Sequence, residues 1–406
     1  MPVYHINFSD TRELSEALVK LGADVRSLPF FDNRREIKAL YASDVDARGA
    51  NIIKQELLSR GGDAAVHSHV LDYGVKYSDC ILFGTKKQLA FLAEKIAAMP
   101  WWGLPELAEE IKKTLAGLCE RGRAEKLPCG TALPLGKRTL IMGITNLTDD
   151  SFFSGSRTGG DAELTLKRAE KQIDEGADIL DLGAESTRPG ALRVREEEEL
   201  QRVASAIKAI RKEFPRVPLS VDTTRLSVAL AALGEGADII NDISGLTFEP
   251  GLAGAAADYG AMLVLMHMRG TPETMRSMCG YENLLRDIAS FFESGIKKAV
   301  GFGLEKNRII LDPGIGFAKD HNQNLLLLRH MEAFRCFGLP VLIGVSRKVS
   351  VGRSTDSPTA EGRLEGTLAI SALCAWQGIE IVRVHDVLEN KKAVMMIDAV
   401  RHAKYE

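Results

Sequence analysis

From Arg138 onward the sequence alternates short apolar segments with longer amphipathic ones. Eight of the apolar segments have the length and composition of buried parallel strands. They span residues 140–144, 179–182, 219–221, 239–240, 262–265, 309–311, 341–343 and 381–382. Regular alternation of strands and helices with short loops predicts parallel strands joined by right-handed crossovers. Eight such units over about 265 residues predict a (β/α)8 barrel.

A doubly wound open sheet is the alternative architecture. Such a sheet usually has fewer strands, and no G-x-G-x-x-G turn follows the first strand here. The predicted fold class is therefore α/β, with a (β/α)8 TIM barrel at residues 138–406 and a small α+β domain at residues 1–118. Residues 119–137 lose all periodicity and gather Gly, Pro and charges, which predicts a linker or an extended arm.

The first 118 residues show no combination of acid, base and nucleophile. Their patterns predict strands at residues 3–8, 64–71 and 78–83, and helices at residues 11–21, 44–58 and 85–98, with a last helix ending at Leu118. His67 and His69 lie two apart on a predicted strand and could ligate a metal, but no further ligand is nearby in the sequence. This domain therefore receives no predicted activity.

Composition narrows the range of partners and compartments. The net charge is −3 with both signs intermixed, which argues against nucleic acid or a membrane surface as the main partner. The six cysteines are scattered without a C-x-x-C pair, which favours a reducing cytosol. Neither a signal peptide nor a membrane-spanning run is visible. We therefore expect a cytoplasmic protein that acts on small molecules.

The C-terminal end of each predicted strand, its tip, leads into polar residues. They are Asn146, Asp181, Asp222, Asn241, His267, Asp312, Ser346 and His385. One such residue could simply start a turn, as Asp312 before Pro313 and Gly314 could. A barrel, however, gathers all eight tips on one face, where active sites lie. Eight polar tips therefore predict a binding pocket.

The residue types indicate the chemistry of this pocket. Carboxylates and an amide at Asp222, Asn241 and Asp312 would accept the ring N–H groups and exocyclic amine of a flat heterocycle. Cationic donors at Arg188, Arg383 and His385 suit a phosphorylated leaving group; the amide oxygen of Asn146 suits Mg²⁺ shared with phosphate. Lys348 could bond a heterocycle carbonyl, bind an anion or form a Schiff base.

Seven segments resemble, in order, the motifs of the dihydropteroate synthases. They are residues 142–152, 181–190, 241–245, 266–272, 312–317, 346–348 and 383–386. The resemblance covers residues 138–403, and the region before the barrel resembles an N-terminal extension found on some family members. It implies a homodimeric, Mg²⁺-dependent (β/α)8 transferase that joins 6-hydroxymethyl-7,8-dihydropterin diphosphate to 4-aminobenzoate in folate biosynthesis.

The resemblance also implies a role for individual residues. Those implied to bind the pterin are Asp222, Asn241, Met266, Asp312, Gly344 and Lys348. Those implied to bind the diphosphate are Asn146, Arg383 and His385, with Asn146 also binding the metal. Those implied to border the aminobenzoate are Phe152, Thr187, Arg188, Phe317 and Ser346. Asp222, Asp312, Lys348 and Arg383 are the implied catalytic residues.

The sequence departs from the family at three positions. Asp149 stands where the family usually has Pro, Ser154 where it has Asp, and Val349 where it often has Ser. These changes predict weaker binding of aminobenzoate and of sulfonamides.

Two other functions compete with the synthase. A barrel that transfers a methyl group from a methyl-pterin to a corrinoid protein would need neither the Ser346-Arg347-Lys348 tip nor diphosphate donors. A non-catalytic pterin-binding barrel would be favoured by loss of Asp222, Lys348 or Arg383, and all three are present. The synthase is therefore the preferred interpretation.

Overall fold

The computed structural model describes residues 37–118, 123–147, 162–184 and 194–403, together with four isolated positions before residue 37. The chain forms two compact units. Among the described residues, the first is built on residues 37–118 and the second on residues 123–335 and 339–400. No helix in these described ranges is long and apolar enough to cross a membrane.

The N-terminal unit is a three-stranded antiparallel sheet with helices. Its elements are β1 (Lys38–Asp46), α1 (Ala47–Leu58), β2 (Asp63–Ala65), β3 (Tyr77–Gly84), α2 (Lys86–Ala97) and α3 (Leu104–Gly117). The strand order is β1-β3-β2. Thr85 starts α2 with a capping box to Gln88, which satisfies the first backbone donors of that helix. Ile53, Leu82 and Leu92 are fully buried in its core.

Two elements of this unit differ from the sequence-based expectation. β1 was not predicted, because small and polar residues weaken its alternation. The strand expected at residues 64–71 ends at Ala65, and His67 instead caps a short 3-10 turn at Ser68–Val70. The strand predicted at residues 3–8 lies outside the described residues. Of the helix predicted at residues 11–21, only Ser15, Leu18 and Val19 are described, and all three are helical.

The second unit is a closed parallel barrel, which confirms the predicted fold class. Its strands are β6 (Leu140–Asn146), β7 (Ile179–Gly183), β8 (Leu219–Asp222), β9 (Ile239–Asp242), β10 (Met262–Met266), β11 (Ile309–Asp312), β12 (Leu342–Ile343) and β13 (Ile381–Val384). The hydrogen-bonded order is β11-β10-β9-β8-β7-β6-β13-β12. A parallel bridge between Leu311 and Val341 joins the two ends and closes the barrel.

Helices follow the strands and surround them. They are α4 (Ala162–Asp174), α5 (Glu196–Glu213), α6 (Leu226–Gly234), α7 (Leu252–Asp258), α8 (Leu284–Gly301), α9 (His321–Arg329), α10 (Val349–Ser354), α11 (Leu364–Gln377) and α12 (Val387–Arg401). Strands buried on both faces need the apolar runs that the sequence shows, since helices cover one face and the barrel interior the other. The polar tips therefore meet at one end, which we call the mouth.

The segment expected to be a linker contains a β-hairpin. β4 (Arg123–Lys126) pairs antiparallel with β5 (Ala132–Leu135). Leu127, Leu133 and Leu135 are buried in one cluster with the first residues of six barrel strands, namely Leu140, Ile179, Ile239, Met262, Leu342 and Ile381. The hairpin therefore closes the barrel at the end opposite the mouth. Its strands are only four residues long, too short to show a period in the sequence.

Candidate active site

Asp181 lies on β7 and connects three strands through its side chain. Its side chain is fully buried on β7. Its Oδ2 accepts a hydrogen bond from Arg383 Nε at 2.6 Å and from Asn241 Nδ2 at 3.1 Å. Arg383 in turn donates from Nη2 to Asp222 Oδ2 at 2.7 Å. One continuous network thus joins Asn241, Asp181, Arg383 and Asp222.

The guanidinium of Arg383 is balanced by two carboxylates. Burial lowers the pKa of Arg383, but the charges of Asp181 and Asp222 outweigh burial and raise it overall. The side chain is therefore a fixed cation with a set orientation. A planar guanidinium held at two edges presents its remaining N–H groups in a defined direction.

Asp312 ends β11 and is almost fully buried at the mouth. Its Oδ1 accepts the backbone N–H of Gly314 at 2.7 Å. Burial raises the pKa of Asp312, and the cations Lys348, Arg383 and Lys319 oppose that rise. The carboxylate therefore depends on its cationic neighbours to stay ionised.

Lys348 reaches across the mouth to the loop that follows Asp312. Its Nζ donates to the carbonyl oxygen of Ile315 at 2.5 Å and lies 4.7 Å from the centroid of the Phe317 ring. Burial lowers the pKa of Lys348 to about 8, against the opposing charge of Asp312. The ammonium form therefore dominates at pH 7, which favours a hydrogen-bond donor over a Schiff-base nucleophile.

His385 is neutral in the folded protein, which differs from the cationic donor expected from the sequence. Burial lowers its pKa to about 3, and the nearby charges of Arg383 and Arg347 act in the same direction. The Ser346 hydroxyl accepts the backbone N–H of His385 at 3.2 Å and lies 2.9 Å from its Nδ1. A hydroxyl in that position can donate to Nδ1, which leaves the ring hydrogen on Nε2.

Arg347 fastens the tip of β12 to the tip of β13. It is buried, adopts a left-handed φ of 54°, and pairs with both oxygens of Asp386 at 2.8 Å. Its Nη1 also donates to the carbonyls of Ala360 and Glu361. The flanking Ser346 and Lys348 are therefore held in place by a buried bidentate ion pair.

The remaining predicted residues lie at the same end. A Cβ placed on Gly344 would stand 3.9 Å from Asp312 Oδ2 and 3.9 Å from Arg383 Cβ, so Gly344 borders both side chains. Met266 ends β10 opposite Asp312 and shares a small apolar cluster with Phe317. Asn146 ends β6. The predicted Phe152, Thr187 and Arg188, and the divergent Asp149 and Ser154, lie outside the described residues.

Two residues of this site, Asp181 and Lys319, have no role in the prediction from the sequence. Asp181 was recognised as a strand tip but was given no role, although its place after an apolar run is a usable signal. Lys319 was not singled out, yet it is buried and its Nζ lies 2.9 Å from His267 Nδ1. A lysine in a loop gives no sign in the sequence that it turns inward.

Comparison with known proteins supports the family assignment. Residues 142–385 match the family described as pterin binding enzyme. Dihydropteroate synthase of Bacillus subtilis is 45% identical over 270 residues, covering 66% of this chain and 91% of that protein. The structure of Xanthomonas albilineans dihydropteroate synthase in complex with 7,8-dihydropteroate is 35% identical, with a TM-score of 0.59, covering 68% of this chain and 98% of that one.

Two relatives are similar beyond the barrel. The probable bifunctional folylpolyglutamate synthase/dihydropteroate synthase of Haloferax volcanii is 35% identical over 376 residues, which is 91% of this chain and 44% of that protein. A match of that length includes much of the N-terminal unit, so the N-terminal extension is shared with another protein. Taken with the barrel and its mouth, these similarities show that the chain belongs to the pterin-binding enzyme family and, within it, to the dihydropteroate synthases.

Proposed function

We propose that the barrel condenses 6-hydroxymethyl-7,8-dihydropterin diphosphate with 4-aminobenzoate, giving 7,8-dihydropteroate and diphosphate in folate biosynthesis. The network that joins Asn241, Asp181, Arg383 and Asp222 carries this proposal. Within a single set of hydrogen bonds it holds carboxylate and amide oxygens that could accept from a pterin and a guanidinium that could donate to a phosphate. The Xanthomonas relative in complex with 7,8-dihydropteroate supports the choice of product.

The pterin would be held by the acceptors at the mouth. Asp222, Asn241 and Asp312 would accept its N–H groups, and Lys348 would donate to its carbonyl. Met266 and Gly344 would flank the ring. The buried carboxylates favour a substrate with several donors, because an unpaired buried carboxylate is costly.

The diphosphate would be bound by Arg383 and His385, with Mg²⁺ at Asn146. Among the described residues there is no group of three His, Cys, Asp or Glu side chains that could hold a metal. One amide oxygen fits a cation held chiefly by substrate phosphate and water, as Mg²⁺ commonly is. When bound there, Mg²⁺ would supply charge neutralisation on the leaving diphosphate.

The reaction would begin with cleavage of the bond between the pterin methylene carbon and the diphosphate oxygen. The electron pair leaves with diphosphate, toward Arg383 and His385, and the carboxylates of Asp222 and Asp312 stabilise the positive charge on the pterin. The amine of aminobenzoate then forms the new C–N bond and gives up a proton to solvent water. This amine is already neutral at pH 7, so no strong general base is needed.

Aminobenzoate would bind beside Phe317 and Ser346, together with Phe152, Thr187 and Arg188. Phe317 is nearly buried, with the ammonium of Lys348 over its ring. Ser346 is fixed through His385. Both positions would therefore border the pterin, as the attack on its methylene group requires.

The proposal is tested by diphosphate release with Mg²⁺, in the presence and absence of 4-aminobenzoate. We expect the wild type to need aminobenzoate for release and to form dihydropteroate. Asp312→Ala should lose both activities, and the exposed-surface control Asp258→Ala should keep them. Pterin binding without release would contradict the synthase and leave a pterin-binding barrel.

We also propose a homodimer in the cytoplasm. Helices α11 and α12 expose large apolar side chains at Leu373, Trp376, Leu388, Met395 and Met396. An apolar patch of this kind is typical of a subunit interface. The six cysteines are scattered without a C-x-x-C pair, which favours a reducing compartment. Light scattering should give the mass of a dimer, and Trp376→Glu with Met396→Glu should give a monomer.

The divergent positions lead to a prediction about inhibitors. Val349 is half exposed at the start of α10, next to Lys348. We expect a higher KM for aminobenzoate and a higher Ki for sulfonamides than in Bacillus subtilis dihydropteroate synthase, since Val cannot supply the hydroxyl of Ser. Parallel inhibition assays on the two enzymes would measure this. Equal constants would contradict it, and Val349→Ser tests the contribution of that position.

A further inference from the structure

Lys319 is a buried cation that the proposed mechanism does not use. It is the last residue of the loop at residues 312–319, and only 7% of its surface is exposed. Its Nζ lies 2.9 Å from His267 Nδ1, and it donates to the carbonyl oxygens of Phe317 at 2.9 Å and His267 at 3.4 Å. An ammonium has three donors, so these contacts satisfy it fully. Such complete pairing is what makes a buried lysine tolerable.

The contacts of Lys319 join the tips of two neighbouring strands. His267 follows β10, and its backbone N–H donates to Asp312 O at 2.8 Å. A Cβ on Gly314 would stand 2.1 Å from the carbonyl oxygen of His267, so the two segments approach as closely as glycine permits. Asn324 holds the same loop from α9, accepting from Gly316 N at 2.6 Å. The 312–319 loop is thereby fixed against β10.

We propose that Lys319 is a positioning residue of the synthase, which locks the 312–319 loop against the tip of β10 and keeps a second lysine charge beside Asp312. The loop bears Asp312 at its start and Phe317 near its end. Lys319 therefore acts on the pterin side and the aminobenzoate side together. The inference depends on the proposed function, because it concerns Asp312 as the pterin-binding carboxylate.

The charges around the two residues define the pH dependence. Asp312 faces the cations Lys348, Arg383 and Lys319. Burial lowers the pKa of Lys319 to about 7; Asp312 opposes this, Lys348 and Arg269 reinforce it, and Cys279 opposes it weakly. His267 stays neutral because burial lowers its pKa to about 2. Lys319 is therefore charged in mildly acidic solution, where Asp312 most needs support to remain ionised.

The test is kcat/KM for the pterin diphosphate between pH 5 and 9 in the wild type and in Lys319→Met. Removing the charge raises the pKa of Asp312, so the acidic limb of the variant should move to higher pH by about one unit. Near pH 8.5 Lys319 is deprotonated in most wild-type molecules. At that pH the part of the difference in kcat/KM that comes from the lysine charge should disappear. Only the loss in kcat/KM caused by the missing hydrogen bonds to the loop should remain.

Two further variants separate charge from packing. Lys319→Gln keeps a donor for the backbone carbonyls without the charge, so it should show the same shift with a smaller loss at pH 8.5. It also provides the test if Lys319→Met does not fold. Lys297→Met removes an exposed lysine from α8, where it pairs with Glu293, and should leave the profile unchanged.

The possible outcomes distinguish this inference from the function on which it depends. If the wild type is active and the acidic limbs of all variants superimpose, the positioning role is overturned and Lys319 is purely structural. A uniform loss at every pH has the same meaning. If the wild type forms no dihydropteroate, the proposed function fails and the inference fails with it. A displaced acidic limb in both Lys319 variants supports the role.

Discussion

At the scale of single residues, Asp181 affects more of the site than its position in the sequence suggests. One of its oxygens accepts from Arg383 and Asn241, which reside on different strands. Its charge also balances the buried guanidinium, together with Asp222. Replacing Asp181 should therefore disturb the groups proposed to bind the pterin and the group proposed to bind the phosphate at once.

We expect Asp181→Asn to lower kcat/KM by at least about tenfold, which is about 1.4 kcal/mol, and Asp181→Ala to lower it further. Asparagine keeps an acceptor oxygen but loses the charge that balances Arg383. Steady-state kinetics would measure kcat/KM, and isothermal titration calorimetry would measure the affinity for diphosphate. Asp178→Asn is the control, because Asp178 pairs with Arg138 just before β7. Similar losses in both variants would argue against the network.

Gly314 gives a second prediction at this scale. Its φ is 69°, and a Cβ would collide with the His267 carbonyl. Gly303 has a φ of 91° with nothing within 4 Å of a Cβ. Gly303→Ala should therefore cost about 1 kcal/mol of unfolding free energy from backbone strain, and Gly314→Ala about 3 kcal/mol or more. Urea denaturation would compare them, and equal costs would refute the collision.

The identities of site residues were easier to predict than their protonation states or side-chain orientations. Asp312 and Lys348 could be found because each follows an apolar strand within a motif. The neutral state of His385 could not, because it arises from burial and from cations contributed by other segments. The inward turn of Lys319 likewise depends on acceptors at His267, fifty-two positions away.

At the scale of secondary-structure elements, the β4–β5 hairpin is the clearest difference from expectation. Its three leucines close one end of the barrel core. A periodic pattern cannot develop in strands of four residues, so composition alone predicted a linker there. The eight barrel strands, by contrast, were all located, because each is mainly apolar and is followed by polar residues.

Leu133→Ala should test the role of the hairpin. The side chain is 2% exposed within the barrel core, so truncation should cost about 2–5 kcal/mol of unfolding free energy. Leu230→Ala removes a leucine that is 40% exposed on α6 and should cost under about 1 kcal/mol. Chemical denaturation of both variants would check this. A loss at Leu133 no larger than that at Leu230 would mean that the hairpin adds little to the core.

At the scale of the whole molecule, the two units differ in how far the sequence revealed them. The barrel was predicted from repetition, since eight similar units reinforce one another. In the N-terminal unit, β3, α2 and α3 were found, but β1 was missed because alanine, serine and aspartate occupy much of it. The N-terminal unit has no repeated pattern, so the other elements could not help to identify a strand with a weak signal.

The buried histidines predict how the fold responds to acid. The pKa of His267 is about 2 and that of His385 about 3 in the folded state, against 6.5 for an unperturbed imidazole. Below pH 6.5 the unfolded chain binds more protons, so the free energy of unfolding should fall as pH decreases. The loss per histidine is about 1.4 kcal/mol one unit below pH 6.5.

Urea titrations of the wild type and of His385→Asn, from pH 7 to pH 5, would measure this response. The variant should show a shallower decline, smaller by the contribution of one histidine. Comparing the two slopes cancels the other titrating groups. Parallel declines would indicate that His385 is already protonated in the folded barrel.

The shared bonds of Asn241, Asp181, Arg383 and Asp222 also limit how this enzyme can evolve. A substitution at one of them leaves a buried polar partner unsatisfied, so it lowers fitness before any benefit can arise. Compensation would require coordinated changes on different strands, which random mutation rarely supplies together. An inhibitor that contacts only these four side chains should consequently encounter few routes to resistance.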